Sequence, residues 1–442
     1  MRGPLMRGSP GEGELPVMLA PGGWRRTFGS LQNRNFRWFF GGNVASWIGQ
    51  NMQMVASGWL VYDLTGSPLA LGGMMAITAV PILLFSPFGG VITDRVSKRN
   101  LLIVTQAAIG LITLIMAVLI ATHQIQYWHI LASSLITGAI FAFNMPGRQA
   151  LVVEIVGDET LMNAIALQSG GMNLTRIIGP SIAGVLMVFI GIAGVYFVTV
   201  ALCAASVFAL VMITTTGTTE LRVARTITEE FFEGIDFIRH SPTLRMLLII
   251  GIVPMLFVMS YTVFMPIFAR DLWRVGELGL GVLNSVPGIG GLVGSLTVAS
   301  LGNFERKGWL LLACAITNGL AIGLFSLSPS LNLSSPSLTI MGTFFPASFL
   351  IALLILIVVG SAQVGFQAVN NTLIQTNIND EIRGRIMSVY MMAFGLMPLG
   401  VLPASYIANV WGAQVAVGSG GILLALFALS VGILYPRFRR LT

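Results

Sequence analysis

The chain has 442 residues, of which 55% are hydrophobic and only 9% charged, with a mean hydropathy of +0.85. A soluble domain carries about 25% charged residues, so a water-exposed globular fold is excluded and lipid is the expected solvent. The net charge of +7 is spread thinly along the chain and gathered on no soluble domain, which excludes a nucleic-acid surface. The first 23 residues are rich in Gly and Pro and lack an apolar stretch, and they open a leader over 1–30. They read as a flexible leader and not as a cleaved signal peptide.

Each crossing of a bilayer needs roughly 20 mostly apolar residues. Trp38 to Tyr62 holds one predicted helix and Leu64 to Thr93 a second. Asn100 to Gly147 holds two, broken near His123–Trp128. Thr160 to Thr219 holds two, broken near Gly191–Gly194, with Arg176 as its only charge. Met246 to Ala269 and Leu278 to Phe304 hold one each, and Gly308 to Asn379 and Ile386 to Pro436 hold two each. The reading is an all-α membrane protein with twelve transmembrane helices. All but Arg176, Arg270 and Arg274 of the 24 Lys and Arg residues then fall on the side carrying the termini. Basic loops stay cytoplasmic, so both termini are placed inside.

The two halves look duplicated. Gly138 aligns with Gly360 and Asp158-Glu159 with Asp380-Glu381, while Asn35-Phe36-Arg37 aligns with Thr243-Leu244-Arg245 at a smaller offset. An insertion in the second half follows, with Ser328–Pro346 as its natural home. The expected domains are a bundle over 31–213, a cytoplasmic linker over 214–242, a second bundle over 243–436 and a basic tail over 437–442. Phe231, Phe232, Ile235 and Ile238 in the linker fall at helical spacing, which predicts an amphipathic helix along the inner membrane face. Cys203 and Cys314 lie in apolar runs and read as small core residues. No metal-spaced cluster, paired cysteine or phosphate-binding loop stands in the sequence. No cofactor or metal is expected, and a membrane enzyme or a passive scaffold fits the pattern poorly.

Three stretches carry a resemblance. Gly90-Val91-Ile92-Thr93-Asp94-Arg95-Val96-Ser97-Lys98-Arg99, after predicted helix 2, resembles the signature loop of the major facilitator superfamily, with Ser97 where a Gly is usual. Arg176-Ile177-Ile178-Gly179-Pro180-Ser181-Ile182-Ala183-Gly184 in predicted helix 5 is similar to the Gly-Pro motif of that superfamily's drug:proton antiporters. Asn33-Arg34-Asn35-Phe36-Arg37, Trp59 to Ser67 and Pro146-Gly147-Arg148-Gln149-Ala150 resemble the multidrug, macrolide and siderophore exporters, the transmembrane secretion effector branch. The resemblance implies two six-helix bundles working by alternating access. It implies export of amphiphilic small molecules, drug-like compounds or siderophores, with a lipid or lysophospholipid transporter of the same fold as the alternative. It also implies proton antiport, a bacterial cytoplasmic (inner) membrane location and a monomer. In the superfamily, the equivalent of Asp94 gates against the inner end of helix 11, which begins here near Arg383–Arg385. The bland reading of Arg95, Lys98 and Arg99 is a positive-inside anchor.

Asn43, Ser46, Gln50, Gln53 and Ser57 repeat at spacings of three and four, so they form one polar stripe on helix 1. The stripe is either hydrogen-bonded glue between helices or the wall of an aqueous cavity. Asn144, Asn173, Gln363, Gln367 and Asn370 could face it. Arg176, counted from Asn163, falls near mid-membrane, as a contact for an anionic substrate or as a side chain snorkelling to headgroups. No carboxylate lies at a predicted helix centre. Asp63 and Glu154 are the default proton carriers, although Asp63 also reads as a turn-capping residue.

Overall fold

The computed structural model describes residues 29–214, 236, 239–300, 306–331, 338–340, 342–376, 393–436 and 438–440. Helix boundaries follow local chemistry. The side chain of Asn33 accepts from the amides of Asn35 (2.9 Å) and Phe36 (3.3 Å) and starts α1 (Arg34–Thr65). Gly66 ends α1 at φ 59°, a left-handed conformation that glycine adopts without strain. Pro68 then opens α2 (Pro68–Arg95), where its missing N–H costs nothing. Ser97 caps α3 (Lys98–Ala121) by accepting from the amide of Asn100 at 3.4 Å.

The run Tyr127–Val211 breaks at Gly157 (φ 65°) and Gly191 (φ 69°) into α4 (127–156), α5 (158–190) and α6 (192–211). The carboxy-terminal group follows as α7 (Pro242–Val263), α8 (Gly276–Ser300), α9 (Lys307–Leu327), α10 (Ala347–Thr376), α11 (Pro398–Trp411) and α12 (Ala413–Leu434). A single turn, Met265–Ile267, and a π-helical turn, Phe268–Leu272, join α7 to α8. The expected insertion carries a small antiparallel hairpin, β1 (Leu338–Ile340) with β2 (Thr343–Phe345), turning at Gly342. It is a minor departure from an all-helical chain.

Nine stretches among the described residues are long and apolar enough to cross a membrane. The leader up to residue 28 and the linker residues 215–235, 237 and 238, with Phe231, Phe232, Ile235 and Ile238, lie outside the described residues. So do residues 377–392, with Arg383 and Arg385, and Arg437.

The helices pack through small residues, as expected where lipid competes for apolar faces. Within the amino-terminal group, Gly138 of α4 seats against the Thr78 carbonyl of α2, and Gly42 of α1 against Ala209 of α6. Within the carboxy-terminal group, Gly294 of α8 meets Ser361 of α10, and Gly319 of α9 meets Gly421 of α12. The two broadest crossings between the groups are α5 with α8 and α2 with α11. In the second, Gly72 of α2 packs on Ser405 of α11.

Candidate transport interface

The α5–α8 crossing brings the backbones of the two groups into direct contact. Gly184 and Gly281 face each other so tightly that a Cβ on Gly184 would lie 2.8 Å from the Gly281 Cα. One turn along, the Ser181 hydroxyl donates to Ser285 Oγ at 2.8 Å. Farther on, Gly288 accommodates Ile177. The Gly-Pro motif therefore works on two sides. Gly184 and the Pro180 carbonyl abut α8, while Gly179 abuts Asn51 and Ile48 of α1.

A polar clasp closes the neighbouring end. Arg270 pairs with Asp63 at 3.1 Å and donates to the Tyr62 carbonyl at 3.3 Å. Its guanidinium stands over the Tyr62 ring, 5.7 Å from the centroid. The Tyr62 hydroxyl donates to Asp271. An aromatic cluster anchors the turn that carries these charges. Trp273 donates from Nε1 to Ser348 Oγ at 3.2 Å and packs on Phe268, Phe325 and Phe349. Phe345 of the hairpin packs on Phe349. Sequence reasoning missed this clasp. The signal was present in Arg270 as one of two basic residues on the sparsely charged side, with Asp271 beside it.

The polar stripe of α1 exists, and its bonds run into the amino-terminal group. Arg148 of α4, 8% exposed, is their hub. It donates to Asn144 Oδ1 (2.6 Å), Ser46 Oγ (3.0 Å), Gln106 Oε1 (3.0 Å) and Asn43 Oδ1. Asn144 in turn donates to Thr105 at 2.8 Å, and Gln50 to Ser46 at 3.0 Å. Gln53 accepts from Thr113 at 3.4 Å, and Ser57 shares a 2.7 Å bond with Tyr196 of α6. Charge counting set Arg148 among the basic residues on the side of the termini, and the structure adds that its side chain is enclosed in the bundle. The side chain is buried because neutral oxygens from α1, α3 and α4 surround it, the arrangement a buried cation requires when no carboxylate is at hand.

The signature stretch is also corrected in form. It is not a loop, because α2 runs to Arg95 and only Val96 and Ser97 separate it from α3. Ser97 needs no left-handed backbone, since it serves as a helix cap. The surroundings of Gly90 and the side chain of Asp94 lie outside what the structure describes. Arg95 is exposed. Lys98 is buried and paired with Glu154. Arg99 donates to the last carbonyls of α6, Leu210 (3.0 Å) and Val211 (2.6 Å), a favourable place for a cation at a helix C-terminus. Lys98 and Arg99 are therefore tied to α4 and α6, not free at the surface. On α10, Gln363 is half-buried, Gln367 exposed and Asn370 fully buried. On α5, Asn173 is half-buried, and the Arg176 backbone passes Gly288 of α8 while its side chain is exposed. A separate groove of about 520 Å³ runs between α1 and α6, lined by Arg34, Arg37, Trp38 and Phe208 over small residues.

Residues 25–439 match the model of one family, the transmembrane secretion effectors. The chain belongs to that family, a branch of the major facilitator superfamily. It is a multi-pass membrane transporter and not an enzyme. The staphyloferrin A transporter of Staphylococcus aureus is 24% identical over 85% of this chain and 90% of its own length. The multidrug efflux pump Tap of Mycolicibacterium fortuitum is 24% identical over 89% and 93%. The enterobactin exporter EntS of Shigella flexneri is 25% identical over 92% and 93%. Among solved structures, the nucleoside transporter NupG superposes with a TM-score of 0.68 over 92% of this chain and 99% of its own, at 13% identity. That likeness speaks for the fold alone.

Proposed function

We propose that this transporter exports amphiphilic small molecules, drug-like compounds or siderophores, across the bacterial cytoplasmic membrane by alternating access. The relatives that span nearly its whole length carry names of that kind. The full arrangement is twelve crossings in two six-helix bundles, 31–213 and 243–436, with both termini cytoplasmic and a monomer as the working unit. Asp94 gates the inner side, and the polar and apolar side chains between the bundles line the substrate path.

One observation carries the mechanism. The two groups of helices meet through bare backbone at Gly184 and Gly281 and through a half-exposed clasp at Asp63 and Arg270. Both contacts can part without leaving a buried charge. A half-exposed ion pair is worth about 0.2–1 kcal/mol, so this end opens and closes within the few kcal/mol that separate two functional states. Protons are the coupling ion in this reading. Protonation of Asp63 would release Arg270 and loosen the clasp, whereas Glu154 is held by Lys98.

The test uses the purified protein in sealed liposomes with an imposed pH gradient, following a fluorescent dye and a labelled lysophospholipid. Saturable, concentrative dye movement that collapses with the gradient is expected. Non-saturating leak that ignores the gradient refutes the reading, and movement of the lysophospholipid alone makes the protein a lipid transporter.

A further inference from the structure

Two arginines stand within the apolar spans, and their surroundings differ. Arg148 donates to four neutral side chains. Arg176 has no hydrogen bond or ion pair among the described residues; the one group within its electrostatic reach is Tyr261 of α7. It lies 18 residues into α5 and 14 from its end, about 27 Å and 21 Å at 1.5 Å per residue. An arginine at that depth costs about 2.5–3.5 kcal/mol on insertion scales. Such a side chain marks a function unless something neutralises it.

Among the described residues, no carboxylate stands at that depth on the helix axes. Asp63 and Asp94 lie at the ends of α1 and α2, and Glu154, Asp158 and Glu159 flank the break at Gly157. Asp271 belongs to the α7–α8 connection and Glu277 to the first turn of α8. Asp236 is exposed outside the spans, and the other acidic residues lie outside the described ones. The nearest on α5, Glu159, is 17 residues away, about 25 Å along the axis.

The face of α5 that carries Arg176 points inward. Ser169, Asn173 and Arg176 recur at i, i+4 and i+7 and share one side of the helix. Leu174, Ile182, Val185 and Phe189 occupy the opposite side and are exposed to the surroundings of the molecule, which is where lipid lies. Ile177, Ser181 and Gly184 fill the side against α8. Arg176 lies between the side that meets α1 through Gly179 and the side that meets α8 through Ile177, so the stripe faces the space between the bundles. There Ser169 and Arg176 are exposed and Asn173 is half-buried, with Tyr261 of α7 within electrostatic reach.

We propose that Arg176 seats an anionic group of the substrate, so the exported molecules are amphiphiles carrying a carboxylate, sulfonate or phosphate. A guanidinium presents a planar fork that such oxyanions match with two parallel hydrogen bonds. Asn173 and the Tyr261 hydroxyl add neutral donors. The inference rests on the transport reading above and names its substrate class.

The test uses the full-length protein in proteoliposomes and two probes on one scaffold, neutral N-phenyl-1-naphthylamine and anionic 8-anilino-1-naphthalenesulfonate. The wild type is expected to transport the sulfonate saturably and with the lower KM. The ratio of the two KM values should fall about tenfold or more in Arg176→Gln and recover in Arg176→Lys. A purely structural arginine would move both KM values together. If Arg176→Gln does not insert, Tyr261→Phe and Arg176→Lys are compared with the wild type, and a falling ratio in Tyr261→Phe supports the site. Wild-type preference for the neutral probe, or an unchanged ratio in every variant, overturns the inference and leaves the transport reading standing. Gradient-driven movement of neither probe overturns both.

Discussion

Replacing Gly184 by alanine tests the closed interface where it is tightest. The added Cβ would lie 2.8 Å from the Gly281 Cα and 3.0 Å from the Glu277 carbonyl oxygen. Unstrained carbon contacts lie near 3.5–4.0 Å. Both neighbours are backbone, so no side chain can swing aside, and α5 and α8 must move apart. Overpacking of this kind costs about 1–3 kcal/mol. The penalty exists only while the two helices touch, so it shifts the conformational equilibrium about 5- to 150-fold toward the state with this end open. The assay places a cysteine at Ser285, which is 4% exposed beneath the crossing, after Cys203 and Cys314 are changed to alanine. Labelling by a membrane-impermeant maleimide added on the clasp side should accelerate by that factor in Gly184→Ala. An unchanged labelling rate, with thermal stability lowered by the same 1–3 kcal/mol, would mean that the helices never separate, and would refute the gating role.

Charge reversal at the clasp should behave as a cycle. Asp63→Arg and Arg270→Asp each weaken closure by less than about 1 kcal/mol beyond local repulsion, and the double variant restores wild-type accessibility of Ser285→Cys. Arg148→Ala removes the common donor for Asn43, Ser46, Gln106 and Asn144. Each buried acceptor left unpaired costs about 1–3 kcal/mol, so a large fall in thermal unfolding temperature and in membrane yield is expected. Arg148→Lys should rescue this only in part, because an ammonium cannot reproduce the planar fork. Glu154→Gln strands the buried Lys98 and should destabilise strongly, whereas Lys98→Met with Glu154→Gln should recover most of the loss in the same melting assay. Export of a monoanion against one imported proton moves two charges in the same electrical sense. An inside-negative potential should therefore accelerate it, by about 2.3 kcal/mol of driving force per charge per 100 mV, and valinomycin clamping at zero potential should slow it.

What could be read from the chain and what could not divide along a physical line. The breaks before Tyr127 and at Gly191 were legible because their chemistry is local. The ends at Asn33 and Gly66–Pro68 were not, because run lengths alone opened the second span at Leu64, which belongs to α1. The stripe on α1 was legible as a stripe because it obeys one helix's periodicity. Its partners were not, since Gln106, Thr113, Arg148 and Tyr196 belong to three other helices. The enclosure of Arg148 was hidden for the same reason. Charge counting assigns every arginine to a membrane surface unless its neutral cage is known, and that cage is assembled by tertiary packing. The small residues of the Gly-Pro motif signalled a close approach, yet nothing in them says that Gly179 meets α1 while Gly184 meets α8. Tyr62 and Asp271 are 209 residues apart, beyond any local pattern.

The two classes of contact also decide where the molecule can bend. Inside the amino-terminal group, the Arg148 cage joins α1, α3 and α4 through a buried cation. Breaking it exposes a charge and several acceptors to a low-dielectric interior, at a cost of several kcal/mol. Between the groups, the described polar contacts are a serine–serine bond and a half-exposed ion pair with the Tyr62 bonds beside it, and the rest is van der Waals touch, glycine backbone included. A hydrogen bond between spanning helices averages only about 0.6 kcal/mol. Any displacement that a substrate or a proton can drive will therefore run along the second set and leave the first intact. The proposed rocking motion treats α1–α6 as a rigid body for that reason. A variant that loosened the Arg148 cage yet sped up opening at Ser285 would place the flexible seam inside the bundle and not between the bundles.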